Sequence, residues 1–154
     1  HLLTNAHVVG DSKSVQIITS SGMEIEGQVI RKSKSRDVAL IKVPLKITNS
    51  LYLKFQIPDI ASDVYAAGTP IDEALKTTVT KGIISNIRVD NASGLKFIQA
   101  DASISPGNSG GPLFDKFGNV IGISVAKYNT NSAEGLGLFI PLKDAFNSIK
   151  LLIE

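Results

Sequence analysis

Apolar positions along the chain come in short runs rich in Val, Ile and Thr, and Gly, Pro, Asn and Asp break them at short intervals. That pattern predicts an all-β protein. Met23, Ile25, Gly27 and Val29 alternate with Glu24, Glu26 and Gln28, which is a strand with one wet and one buried face. Val15–Thr19 is the strand before it, across a turn at Ser20-Ser21-Gly22. His1 to Asn5 reads as the end of a strand, and Ala6 to Gly10 as a short turn carrying His7. Val38 to Val43 is a mostly apolar strand closed by Pro44. Leu45 to Ser62 lacks regular alternation and reads as a crossing between two halves. Beyond it lie Val64–Ala67, Thr77–Ile87, Lys96–Ala100, Pro112–Phe114, Asn119–Ala126 and Gly135–Ile140, with a hairpin turn at Asp115-Lys116-Phe117-Gly118. After Pro141 the period changes. Leu142, Ala145, Phe146, Ile149 and Leu152 recur at helical steps, giving an amphipathic helix that docks on the second half.

The second half thus has more candidate strands than the first. Two similar sheets, each closing on itself, would remove exposed edges. On that arrangement the first barrel is short of strands, expected just ahead of His1. A chain of 154 residues buries a sizeable core as one domain. Its parts are expected at 1–54 (the first barrel half), 55–61 (a linker), 62–140 (the second barrel) and 141–154 (the helix).

Composition narrows the chemistry. Net charge is +2, too small to argue for nucleic acid or an anionic membrane. The most basic segment, Arg31-Lys32-Ser33-Lys34-Ser35-Arg36, reads as a solvated loop. The absence of cysteine excludes disulfides, zinc–thiolate sites and a thiol nucleophile. No apolar run is long enough to span a membrane, and no signal peptide is visible.

Of sixteen serines, Ser109 alone sits in a glycine-rich turn able to present a hydroxyl: Ser105-Pro106-Gly107-Asn108-Ser109-Gly110-Gly111-Pro112. Gly107 permits positive φ, so the N–H groups of Gly107 and Ser109, flanking Asn108, can converge where an oxyanion would develop. A serine needs a base. His1 lies at the chain end, which leaves His7. A third group must fix the tautomer of the base. Asp37, ahead of a buried-looking strand, fits best, and Asp11, Asp59, Asp63 and Asp101 are the alternatives. The order His, Asp, Ser is one of the few known triad arrangements.

Thr4-Asn5-Ala6-His7-Val8-Val9, Arg36-Asp37-Val38-Ala39-Leu40-Ile41 and Gly107-Asn108-Ser109-Gly110-Gly111-Pro112 resemble the three motifs of trypsin-like serine proteases, closest to the HtrA branch. Lys81–Ser85, Gln99–Ala102 and Gly118–Ile123 are also similar to that branch, so the resemblance covers nearly the whole chain. It implies two packed antiparallel β-barrels with a cleft between them. It also implies His7 as general base, Asp37 as orienter, Ser109 as nucleophile and Gly107 with Ser109 as oxyanion donors, and no metal or organic cofactor.

Departures from the wider family refine these expectations. Asn108 stands where digestive relatives carry an Asp that pairs with a newly cut N-terminus, so that mode of activation is not expected. Val8 stands where many secreted relatives have Cys. Ser103, followed by Ile104 and Ser105, stands where basic-specific relatives carry an Asp. Without that carboxylate an Arg or Lys side chain would be left unpaired, and cleavage is expected after small or medium aliphatic residues. Ile123, Ser124 and Val125 would line the same pocket and pair with substrate as an added strand. Glu134–Phe139 superficially resembles the carboxylate loop of a PDZ domain, but reads as the last barrel strand of a protease domain without one. By resemblance the partners are unfolded or extended polypeptides, with a homotrimer where the N-terminal segment is present. The setting implied is a bacterial envelope or the extracellular space, in protein quality control. Two functional classes stay open on the sequence: an endopeptidase, and a protease-like module that binds unfolded chains without cutting.

Overall fold

The computed structural model describes residues 1–46, 49–69, 77–105, 107–125 and 136–151. The described residues are mostly β, with 47% of them in strands and 8% in helix. In the first half, β1 (Leu2–Thr4), β2 (Ser14–Ile18), β3 (Glu24–Ser33) and β4 (Val38–Lys42) form an antiparallel sheet in the order β1-β4-β3-β2. In the second half, β5 (Asp63–Gly68), β6 (Thr78–Val89), β7 (Lys96–Ala100), β8 (Pro112–Asp115), β9 (Val120–Ser124) and β10 (Gly137–Pro141) close into a six-stranded barrel. All ten strands overlap predicted ones, and β3 runs on past the predicted end at Val29 to Ser33, through residues expected in a loop. The predicted ends at Ala126 and Gly135 lie outside the described residues.

Register explains which faces meet. Ile17 stands opposite Ile25 on β2 and β3, and Val29 opposite Ile41 on β3 and β4. These side chains pack with Ala39, Val43 and Val9 in a small cluster under the sheet. The other face of β4 behaves differently. Val38 and Leu40 pack with Phe97, Ile123, Val125, Ile140, Ala145 and Ile149, all contributed by the barrel and its C-terminal segment. β4 is therefore buried on both faces, which is why Val38–Ile41 reads as a continuous apolar run. The barrel encloses its own core of Val64, Ala66, Ile84, Ile98, Ala100, Ala102, Leu113, Ile121 and Phe139.

Two elements differ from expectation. Ala6–Val9 is a single helical turn, α1, rather than a plain turn. The C-terminal helix α2 is Leu142–Ser148, shorter than the 141–154 period suggested. Lys150 takes φ +54°, Lys150 N–H donates to Asn147 O (3.1 Å) and Leu151 N–H to Phe146 O (3.0 Å). Those two bonds form a Schellman stop with lysine in the position usually held by glycine. Residues 152–154 of the expected helix lie outside the described residues. No helix among the described residues is long and apolar enough to cross a membrane.

Candidate active site

α1 begins directly after β1, so its first N–H groups lack intrahelical partners. Asp37, in the loop entering β4, supplies one. Asp37 Oδ1 accepts from His7 N–H at 2.8 Å, and Asp37 Oδ2 lies 2.7 Å from His7 Nδ1. A carboxylate only accepts, so the imidazole proton sits on Nδ1 and Nε2 keeps its lone pair. One carboxylate thereby fixes both the backbone and the ring of His7. Asp37 has φ +63°, a left-handed conformation that Asp tolerates better than bulky residues. Asn5 is fully buried beside it, and Asn5 Nδ2 donates to Asp37 O at 3.0 Å.

Of the alternatives, Asp11, Asp63 and Asp101 are engaged elsewhere. The His7 contact does not involve Asp59, whose carbonyl oxygen accepts from Ser62 N–H at 3.1 Å in the crossing segment. Asp11 pairs with Lys34 (2.7 Å) and Lys32 (3.7 Å). The hydrogen bond from Lys34, with its charge and that of Lys32, holds the Asp11 carboxyl below its ordinary range. Asp63 pairs with Lys81 at 3.1 Å, and Asp101 Oδ1 accepts from Ile83 N–H at 2.7 Å. A cleft of about 420 Å³ opens beside His7 and Asp37, with Asp11 and Lys34 on its wall.

Ser109 lies in the connection from β7 to β8, half-buried. Asn108 N–H is spent on Ser105 O (3.0 Å), and Gly111 N–H on Asn108 O (3.0 Å). Among the described residues no backbone acceptor takes the N–H of Gly107 or of Ser109. Gly107 has φ +98°. The turn is locked to β9 by Gly110 N–H donating to Ser124 O (3.0 Å) and Ser124 N–H to Gly111 O (2.8 Å). Gly110, at φ +83°, also abuts β1: a Cβ there would collide with Thr4 Oγ1 and lie 3.2 Å from Asn5 N. The serine turn therefore rests on the segment that carries His7. Among the described residues no hydrogen bond joins the His7 ring to the Ser109 hydroxyl.

The expected substrate-contacting residues divide. Ser103 and Ser105 are exposed beside the turn, with Ser103 O accepting from Thr80 Oγ1 at 2.8 Å, while Ile104 packs against the barrel core. The side chains of Ile123 and Val125 go into the shared core, and Val125 N–H donates to Leu138 O at 3.0 Å. Ser124 is buried, and its hydroxyl makes no hydrogen bond among the described residues. The rest of the strand expected to pair with substrate, from Ala126, lies outside the described residues.

One expectation is overturned. The basic segment 31–36 is not simply a solvated loop, because Arg36 is only 4% exposed and Arg31 reaches the end of α2. Arg36, Arg31 and Asn5 are the residues around this site that pattern reading missed. The signal available was their position: Asn5 lies two residues before His7, and Arg36 immediately precedes Asp37.

A family model, the trypsin-like peptidase domain, matches residues 1–123. The chain belongs to the trypsin-like peptidase family. It is 33% identical to a "Serine protease HtrA-like" of Staphylococcus haemolyticus (strain JCSC1435), over 94% of this chain and 25% of that protein. To a protein of the same description from Staphylococcus aureus (strain MRSA252) it is 32% identical, over 99% of this chain and 22% of that one. Among solved structures it is similar to the HtrA-type protease AlgW with a decapeptide, with TM-score 0.84, 33% identity, and 96% of this chain and 46% of that chain covered. AlgW with a tripeptide matches at TM-score 0.79 and 35% identity, covering 94% and 49%. The trypsin-like chain thus spans about a quarter of the length of those curated relatives and under half of the solved chains.

Proposed function

We propose that this protein is a serine endopeptidase that cleaves unfolded or extended polypeptides through an acyl-enzyme. The observation that carries the reading is the double hold of Asp37 on His7, which leaves Nε2 as the free basic nitrogen. In the reaction Ser109 Oγ attacks the peptide carbonyl as His7 Nε2 takes its proton, and the imidazolium that forms is stabilised by Asp37. The carbonyl oxygen, now anionic, is received by the Gly107 and Ser109 N–H groups, consistent with the Asn108 N–H between them being spent on Ser105 O while no backbone acceptor among the described residues takes theirs. His7 returns the proton to the leaving amine, and water releases the acyl group by the reverse sequence. No step asks for a metal or cofactor.

Specificity is expected from Ser103 and Ser105, which are exposed beside the serine turn, because the side chains of Ile123 and Val125 turn away into the shared core. None of these side chains carries a charge to pair with Arg or Lys, so cleavage falls after small or medium aliphatic residues. An extended substrate is supported by the peptide complexes of AlgW, one with a decapeptide and one with a tripeptide. A role in protein quality control, with a homotrimer where the N-terminal segment is present, extends the resemblance to the HtrA branch.

The missing His7–Ser109 hydrogen bond favours a second reading, a module that binds chains without cutting. Such bonds are often long before substrate arrives, so the bond alone does not decide. Labelling with a fluorophosphonate decides. The protein is expected to label and the Ser109→Ala variant not to. A folded protein that binds an extended peptide but does not label would establish the second reading.

A further inference from the structure

The side chain of Arg36 leaves the sheet that carries Asp37 and enters the other half of the molecule. Its Nη2 donates to the Lys96 carbonyl oxygen at the start of β7 and lies 3.3 Å from Asp144 Oδ2 in α2. The guanidinium carbon stands 4.7 Å from the centroid of the Phe97 ring. A planar, permanently charged fork suits all three contacts together, and lysine does not reproduce it. From β3, Arg31 Nη1 donates to Ile149 O (3.0 Å) and Lys150 O (2.7 Å), the carbonyls at the C-terminal stop of α2. Cations are favoured there.

Asp37 is the residue that profits. A left-handed non-glycine residue persists only where its surroundings over-determine it. Asn5 holds its carbonyl oxygen, and Val38 after it is fully buried in β4. Before it, Arg36 N–H donates to Ser33 Oγ at 3.3 Å, and the side chain is anchored in the barrel and α2. We propose that Arg36 is a positioning residue: its clamp on Lys96, Phe97 and Asp144 keeps Asp37 left-handed and so sets the orientation of His7. The inference rests on the reading of His7, Asp37 and Ser109 as a triad. Arg36 is almost fully buried against Lys96, Phe97 and Asp144, where a substrate does not reach it, so the clamp acts on turnover and leaves substrate affinity alone.

The test compares the full chain with Arg36→Ala, Arg36→Lys and Asp144→Ala. Three readouts are used: the rate of fluorophosphonate labelling, kcat and KM on an extended peptide, and the downfield proton resonance of His7 Nδ1. Arg36→Ala should lower labelling and kcat by about tenfold to a hundredfold, the scale of a small misplacement, with KM unchanged. Its Nδ1 proton should broaden or move upfield, and millimolar guanidinium should restore part of the rate. Arg36→Lys should be intermediate, and Asp144→Ala should lose least. A folded Arg36→Ala protein with the original rate and the original Nδ1 proton overturns the inference. If Arg36→Ala does not fold, Asp144→Ala and Phe97→Leu decide it: unchanged rate and proton in both overturn it, and a loss in kcat with a moved proton supports it. If the unsubstituted protein fails to label at Ser109, the triad reading falls, while the Nδ1 proton still reports on the clamp.

Discussion

The two halves of this molecule solve the problem of sheet edges differently. The barrel of β5–β10 closes, so each strand has two neighbours and the interior side chains are almost fully buried. The sheet of β1–β4 ends on β1 and β2, and Leu2, Val15, Ile17, Ile25 and Val29 are only partly buried beneath it. Yet that weaker scaffold carries His7 and Asp37. The difference teaches that the base side is held from outside its own sheet. Val38 and Leu40 pack into the shared core, Gly110 presses on Thr4, and Arg36 is tied to β7 and α2. The junction between the halves, rather than either half alone, defines the site.

The largest effect should come from the residue at that junction. Asp37→Asn retains the shape but cannot accept from both His7 N–H and Nδ1–H, and it favours the wrong tautomer. The change is expected to lower kcat by about 10⁴-fold, the cost known from the worked case of the same substitution in a serine protease triad. Thermal unfolding should move little. A loss below about tenfold would show that His7 is oriented by something other than Asp37.

Next comes a pair that measures the two cores against each other. Leu113, fully buried in the barrel, should cost about 2–5 kcal/mol on substitution by Ala. Ile17, half-buried under the open sheet, should cost about 1–2 kcal/mol, since its side chain already meets solvent. Chemical denaturation of Leu113→Ala and Ile17→Ala checks both. Equal losses would contradict the contrast between a closed and an open core.

Alternation and turn residues made the strands legible, because period two and Gly or Asp punctuation are local signals. β3 shows its wet and buried faces residue by residue, and Asp115–Gly118 shows its turn. The His7–Asp37 pairing was legible too, from a histidine after one apolar strand and an aspartate before another. α1 was not, since one turn is too short to display a helical period. The length of α2 was misread because its apolar period runs on to Leu152 while Lys150 turns left-handed. Arg31 and Arg36 were misread for a related reason. A charged side chain looks solvated in sequence, and their acceptors arrive 118 and 60 residues later.

Gly110→Ala sharpens the comparison at the contact between the halves. The new methyl would meet Thr4 Oγ1 on a backbone at φ +83°. Strain there should cost about 1–3 kcal/mol. It should also push the serine turn away from β1, so labelling of Ser109 should slow by more than stability alone explains. A variant that unfolds earlier but labels at the original rate per folded molecule would detach the serine turn from the positioning of the base.

The smallest expected effect belongs wholly to the closed half. Burial alone would raise the Asp115 carboxyl, but hydrogen bonds from Asn119, Lys54 and Phe117 outweigh it and hold the group below its ordinary range. A carboxyl depressed in the folded state stabilises above its unfolded value and loses that contribution as pH falls toward the folded one. Stability should therefore decline in acid, and Asp115→Asn should flatten the decline while lowering stability at neutral pH. Asp115 closes the β8–β9 hairpin far along the chain from β1–β4, so its titration should weaken the barrel first. Hydrogen exchange between neutral and acid pH reads this directly. Amides around Asp115–Asn119 should lose protection ahead of those in β2 and β3, and the reverse order would mean that the open sheet, not the hairpin, sets the acid limit.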